Sequence, residues 1–284
     1  MKPLIHFLFV LLTLTSCSES QIKVDEIQKT PEDASPKTTI TTVNTAFQKI
    51  IDDAKLNGVI LIFDPQKDEL ITNDLKRSEE GFLPASTFKV PNSMILMESG
   101  VVDENTIFKW DGKKRTFKMW ERDFNLEGAF QKSCLPCYQS VTPQVGVSQM
   151  KDFLKKFDYG KMEVDSASMD SFWVKGNSKI SAKGQIEFLT KFYNSKLPIS
   201  PKTEKMMRKI MVIDEKDTYK LSGKTGWVFD ETTNLGWFVG FIEKEGNVYF
   251  MATNVDPKKD FNMKDFPNIR QKVTLSALEE LGII

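Results

Sequence analysis

Apolar positions recur along this chain with two different spacings, and the two fall in separate blocks. Val43 to Leu56 places Phe47, Ile50, Ile51 and Ala54 at helical intervals, with Gly58 as the expected stop. Val59 to Phe63 (VILIF) is then a short, β-rich apolar run. A polar turn, Asp64 to Glu69, separates it from a second run at Leu70 to Thr72, which predicts a hairpin. Val90 to Met97 is almost uncharged and predicts a buried helix ending near Gly100. Residues 101–205 return to helical spacing, with Met150, Phe153, Leu154 and Phe157 on one amphipathic helix (147–157). Ile186, Leu189 and Phe192 lie on another (180–193), which Ser181 caps. Trp110, Phe117, Trp120, Phe124 and Phe130 are scattered among charges there, as in an irregular, mainly α subdomain. From Thr218 the pattern becomes strand-like: 218–225, 235–243 and 247–253, the last two joined at Glu245-Gly246-Asn247. Phe266 to Leu281 closes as a helix. Helix and hairpin at one end, three antiparallel strands and a helix at the other, predict one α/β (α+β) domain. Its antiparallel sheet joins both ends, is flanked by helices, and has the α subdomain inserted.

The first residues carry a different signal. Lys2 precedes an apolar run, Leu4 to Leu14, too short to span a bilayer. Leu14-Thr15-Ser16-Cys17 resembles the bacterial lipobox, which implies export, cleavage before Cys17 and lipid on its sulfur. Residues 1–17 are thus expected as a lipoprotein-type signal, 18–42 as a polar tether, and 43–284 as the domain, in the periplasm and held at the membrane only by lipid. Lys and Arg total 39, as do Asp and Glu, so no basic field suggests nucleic acid. The chain's single histidine, His6, lies in the signal. Ser-His-Asp and Cys-His catalysis are therefore excluded in the domain, and the usual zinc sites with them. Any nucleophilic serine must use a lysine or a carboxylate as base.

S-x-x-K occurs three times, at Ser20/Lys23, Ser86/Lys89 and Ser148/Lys151. Residues three apart share a helix face, so a neutral lysine can take the serine proton. Ser20 lies in the tether, and Ser148 heads an amphipathic helix where capping suffices. Ser86 alone precedes a buried helix, and Pro91 fits near a helix start, where N–H groups lack partners. Capping of a core helix and activation of a nucleophile both remain open from this segment. Lys224-Thr225-Gly226 falls at a predicted strand end and suits an anionic ligand laid along it. Ser133-Cys134-Leu135 adds a further hydroxyl. Each element is common, but their order is not.

That order and its flanking residues resemble the class D (oxacillinase-type) serine β-lactamases. Pro84 to Ser93, Tyr159-Gly160, Asp170 to Trp173, Lys224 to Trp227, Gly236 to Gly240 and Arg270 stand where the family has their like, over residues 43–284. The S-D-N and E-x-x-L-N motifs of class A enzymes are absent; Glu231-Thr232-Thr233-Asn234 is only a near miss. The resemblance implies a penicillin-binding-protein-like transpeptidase fold and hydrolysis of penicillin-type β-lactams. It implies that Ser86 is the nucleophile and that CO₂ (from bicarbonate) converts Lys89 to a carbamate acting as general base, with no other cofactor. Burial among Phe88, Leu135 and Trp173 would lower the lysine pKa and leave the amine reactive. The resemblance further implies that Trp173 steadies the carbamate, that Ser133 relays a proton, and that the N–H groups of Ser86 and Trp227 form an oxyanion hole. Lys224, Thr225, Gly226, Trp227 and Arg270 would hold the substrate, Arg270 through a bidentate fork.

Two positions depart from the family. Leu135 replaces a valine beside the modified lysine, and bears on turnover and carbamate occupancy. Lys161 replaces the asparagine of Y-G-N and is expected to matter little. Cys134 and Cys137 could pair in an exported protein, but a helix beginning between them would part the sulfurs, so free thiols are expected. The rival functions are a β-lactam sensor that acylates without turnover and a lipoprotein that binds peptidoglycan fragments. β-Lactam spectrum and the choice of monomer or homodimer are not legible.

Overall fold

Two paired strands, β2 (Leu56–Asp64) and β9 (Asn247–Pro257), bring the two ends of the domain together, and the rest of the fold is arranged around that pair. In the computed structural model residues 39–229 and 234–284 are described. The expected signal, Cys17, the tether to residue 38 and the Glu231 near miss lie outside them. The sheet has seven strands in the order β1-β3-β2-β9-β8-β7-β6. In chain order these are β1 Ile40–Val43, β2 Leu56–Asp64, β3 Glu69–Thr72, β6 Val212–Glu215, β7 Lys220–Phe229, β8 Asn234–Lys244 and β9 Asn247–Pro257; a two-stranded ribbon, β4 Ile107–Phe108 with β5 Phe124–Asn125, stands apart. All pairs in the large sheet are antiparallel except β1 with β3, which is parallel. The helices are α1 Thr45–Asp53, α2 Leu75–Glu79, α3 Lys89–Glu98, α4 Leu126–Gln131, α5 Leu135–Val141, α6 Val147–Phe157, α7 Ala182–Tyr193, α8 Pro201–Ile210 and α9 Phe266–Glu280.

The central strands are apolar on both faces because both faces are covered. In β2, Val59 and Leu61 join the larger core with α3, α7 and the inserted helices, whereas Leu56, Ile60 and Ile62 join the core under α1 and α9. β8 divides in the same way, with Trp237, Val239 and Phe241 on one side and Phe238 and Ile242 on the other. A run such as VILIF therefore reads as a buried strand, with no alternation visible in sequence.

Four expectations are corrected. Ile40–Thr42, placed in the tether, and Val43, placed at the start of the first helix, form β1 and pair with β3. α1 stops before Lys55, which takes the left-handed conformation (φ 54°), and Gly58 lies inside β2. Lys224-Thr225-Gly226 sits within β7, which runs on to Phe229. Ser148 is exposed in the first turn of α6, whose cap is Gly146, so it caps nothing. Elsewhere the expected elements appear: α6 spans the expected residues, Ser181 caps α7 by accepting from Gly184 N, and Glu245-Gly246 turn the β8–β9 hairpin with positive φ. β6 and α8 have no counterpart among the expected elements. Among the described residues no helix is long and apolar enough to cross a membrane.

Candidate active site

The segment Pro84 to Phe88 enters α3 through one 3₁₀ turn, and Ser86 sits in that turn. Ala85, just before it, is held at φ 51°, a costly region for a residue with a side chain. Three buried contacts hold it there. Ala85 N donates to Trp173 O (2.8 Å), Thr87 Oγ1 donates to Pro84 O (2.6 Å), and Gln185 Nε2 of α7 donates to Thr87 Oγ1 (2.9 Å). Tyr159 OH in turn donates to Gln185 Oε1 (3.3 Å), and Trp237 Nε1 of β8 holds Leu83 O (2.9 Å). Neither Gln185 nor Trp237 was expected to support this turn. Gln185 looks like an ordinary helix position in the sequence, and Trp237, although within the family-like Gly236–Gly240 segment, carries no sign there of the turn it supports. β7 then closes on the turn: a Cβ at Gly226 would lie 3.1 Å from both Pro84 O and Thr87 Cγ2. A side chain at the glycine of K-T-G would therefore crowd the nucleophile turn, where strand and turn approach closely.

Lys89 begins α3, and its whole side chain is buried, with Nζ 3.0 Å from Ser86 Oγ. Burial removes the ammonium from water without supplying a carboxylate partner, and pushes the lysine down from 10.5 to about 7. Phe88 stacks on Trp173 (centroids 5.6 Å apart), and the Tyr138 ring lies 5.0 Å from Nζ. Trp173 Nε1 is buried and has no hydrogen-bond acceptor among the described residues. A buried N–H without an acceptor costs about 1–3 kcal/mol, so this donor marks a place for an acceptor beside Lys89.

Across the cleft Lys224 Nζ donates to Ser133 Oγ (2.8 Å) and to Thr225 O (3.0 Å). Its burial, with Lys89 and Arg270 nearby, lowers its pKa well below the ordinary lysine value. Ser133 also lies at positive φ (53°), so both candidate catalytic serines stand in or beside strained backbone. Arg270 of α9 is nearly buried, and burial lowers it from 12.5 to about 10. Its fork is not wholly open, as the sequence suggested. Nη1 donates to Gly226 O and Nη2 to Pro267 O (2.7 Å), tying α9 to β7. A cavity of about 210 Å³ is lined by Ser86, Ser133, Leu135, Thr225, Trp227 and Arg270, with Phe117, Met119 and Trp120 as an apolar wall. Of the expected substrate-holding residues, Lys224 and Gly226 reach the cleft through Ser133 and the Ser86 turn. Lys161 points to solvent, 3.9 Å from Glu163.

The two cysteines overturn the expectation of free thiols. Cys134 and Cys137 form a disulfide, with Cα atoms 5.4 Å apart. A helix does begin between them, but Cys134 is its cap and has non-helical backbone (φ −59°, ψ 99°), which turns its sulfur back over the first turn.

The penicillin-binding protein transpeptidase domain matches residues 44–274. The chain is 38% identical to the β-lactamase OXA-48 of Klebsiella pneumoniae over 242 residues, covering 85% of this chain and 89% of that one. It is 37% identical to OXA-10 of Pseudomonas aeruginosa over 247 residues, covering 86% and 91%. A crystal structure of a class D β-lactamase from Sebaldella termitidis superposes with a TM-score of 0.81 at 37% identity, covering 87% of this chain and all of that one.

Proposed function

Because the chain belongs to the class D β-lactamases, we propose that it hydrolyses the amide bond of penicillin-type β-lactams through an acyl-enzyme on Ser86. The observation that carries this reading is Lys89 Nζ, fully buried and 3.0 Å from Ser86 Oγ in a domain that contains no histidine. The residues around Lys89 fit a carbamate on its nitrogen. A substantial fraction of the amine is neutral near pH 7, as reaction with CO₂ requires, and Trp173 Nε1 offers a donor that has no acceptor among the described residues. When formed, the carbamate supplies the basic oxygen that accepts the Ser86 proton and later one from the deacylating water.

The chain's own groups do the rest. Ser86 Oγ attacks the lactam carbonyl, and the C–N bond breaks. Ser133, hydrogen-bonded to Lys224, hands a proton to the departing nitrogen. The backbone N–H groups of Ser86 and Trp227 are proposed to receive the developing oxyanion. Lys224 and Arg270 attract the substrate carboxylate, whose negative charge relieves the crowding of cations in the cleft. Arg270→Ala is expected to lower kcat/KM by roughly 10–100-fold, mostly through KM, because a charge-assisted hydrogen bond contributes about 1.5–3 kcal/mol. Steady-state kinetics on a penicillin checks this. The Leu4–Leu14 run and Cys17 support export with a lipid anchor.

The test is to mix purified protein with excess chromogenic cephalosporin, with and without bicarbonate, and to follow product. Sustained turnover that bicarbonate accelerates is expected. A burst of one equivalent would instead identify an acylating sensor, and no covalent adduct at all a binding protein.

A further inference from the structure

We propose that the Cys134–Cys137 disulfide is a positioning element of the cleft: it holds the turn that aims the Ser133 hydroxyl and the Leu135 side chain, and its reduction by a dithiol slows turnover. The proposal rests on the hydrolase reading above.

Cys134 stands between two residues of the cleft. Ser133, before it, is at φ 53°, and Leu135, after it, lines the cavity that holds Ser86. Cys134 N donates to Ala129 O at the end of α4 (2.9 Å), and the disulfide ties the same residue to Cys137, inside α5. The bond thus encloses Leu135 and Pro136 in a small ring at the start of α5, and the hydrogen bond from Cys134 N holds that ring against α4. The cap of α5 otherwise consists of the contact from Cys137 N to Cys134 Sγ (3.3 Å), and sulfur is a weak acceptor. α5 has seven residues and does not persist by its own helical stability. A ring this small constrains the unfolded chain little, so the bond acts on local geometry more than on global stability.

Cys134 and Cys137 are both buried, so a reductant reaches their bond only through the cavity beside it. Both half-cystines line a second cavity of about 70 Å³, whose wall includes Lys109, Arg115 and Arg122 and shares Trp120 with the Ser86 cavity. Asp111 lines it too and pairs with Arg115, and Lys109 pairs with Asp123, so the cations of this cavity are largely balanced. A thiolate of a small dithiol attacks the Cys137 sulfur and the S–S bond breaks. The electron pair leaves on Cys134, whose sulfur faces the Cys137 N–H. The reductant's second thiol then displaces Cys137, and the dithiol departs as a disulfide. Two electrons and two protons have passed to the cysteines.

The experiment compares untreated and dithiothreitol-treated protein in saturating bicarbonate with the chromogenic cephalosporin. Iodoacetamide labelling and peptide mass spectrometry report the state of Cys134 and Cys137. Reduction is expected to lower kcat about tenfold with KM changed by less than about twofold, because misplaced catalytic groups cost rate more than binding. Removing the reductant and reoxidising restores kcat. A Cys134→Val/Cys137→Val variant has the lowered kcat and does not respond to dithiothreitol. The proposal is overturned if labelled, reduced protein keeps its kcat, if both cysteines label without reductant, or if the double variant still responds to it. Absence of turnover in the untreated protein would instead reject the hydrolase reading; the rate of Ser86 acylation then serves as the readout for the same comparison.

Discussion

Replacing Lys89 by methionine is expected to lower β-lactam turnover by about 10⁴-fold, the upper range for losing a general base. The same change is expected to stabilise the fold. A buried lysine pushed from 10.5 to about 7 corresponds to roughly 5 kcal/mol against its charged form. The folded state resists the proton that the unfolded state accepts. The penalty is therefore complete below about pH 7 and fades as the pH rises towards 10.5. In CO₂-free buffer at pH 6, Lys89→Met should raise Tm by about 5–10 °C, and the gain should shrink at alkaline pH. Methionine keeps the length of the stem and its packing beside Phe88 and Tyr138. Thermal melts across pH, beside initial rates, measure both halves. Unchanged activity would remove Lys89 from the mechanism; a lower Tm at pH 6 would mean that its burial stabilises the fold.

Trp173→Phe is the second large effect. The ring still packs on Phe88, but the N–H is gone. A hydrogen bond to a charged group contributes about 1.5–3 kcal/mol, so carbamate occupancy should fall roughly 10–100-fold. At ambient CO₂ the rate falls with it, and added bicarbonate restores most of it by mass action. A rate titration with bicarbonate distinguishes this from a packing defect, which no concentration of bicarbonate repairs. For the wild type, the requirement for a neutral amine means that activation by bicarbonate strengthens as pH rises through about 7.

These predictions concern residues that differ in how visible they are in the sequence. Ser86, Lys89, Ser133 and Lys224 form short motifs, and the structure brings them into two hydrogen-bonded pairs, Lys89 with Ser86 and Lys224 with Ser133. The sheet that joins both ends was legible because β2 and β8 carry long apolar runs and its last hairpin has a clear turn. β1 was not legible: its four residues are exposed, and ITTV follows a polar stretch with no change of period. β6 alternates half-buried and exposed residues, so it too carries no run. Gln185 and Trp237 were missed as supports of the nucleophile turn because they act across long sequence separations, through single hydrogen bonds to backbone or Thr87. The disulfide was misjudged because a helix start was treated as ideal helix, whereas a cap residue has extended backbone and aims its side chain back over the first turn. Local spacing carries the chemistry; the geometry that strains Ala85 and Ser133 comes from contacts that spacing does not contain.

The central claim is that Ser86 carries a transient acyl group that the enzyme itself removes. Intact and peptide mass spectrometry of protein quenched during turnover of a penicillin, with and without bicarbonate, tests it most directly. The account predicts one equivalent of acyl adduct, on Ser86 alone, which disappears when substrate is exhausted and persists in Lys89→Met if it forms there at all. An adduct on another residue, or turnover with no adduct in Ser86→Ala at the wild-type rate, would contradict it.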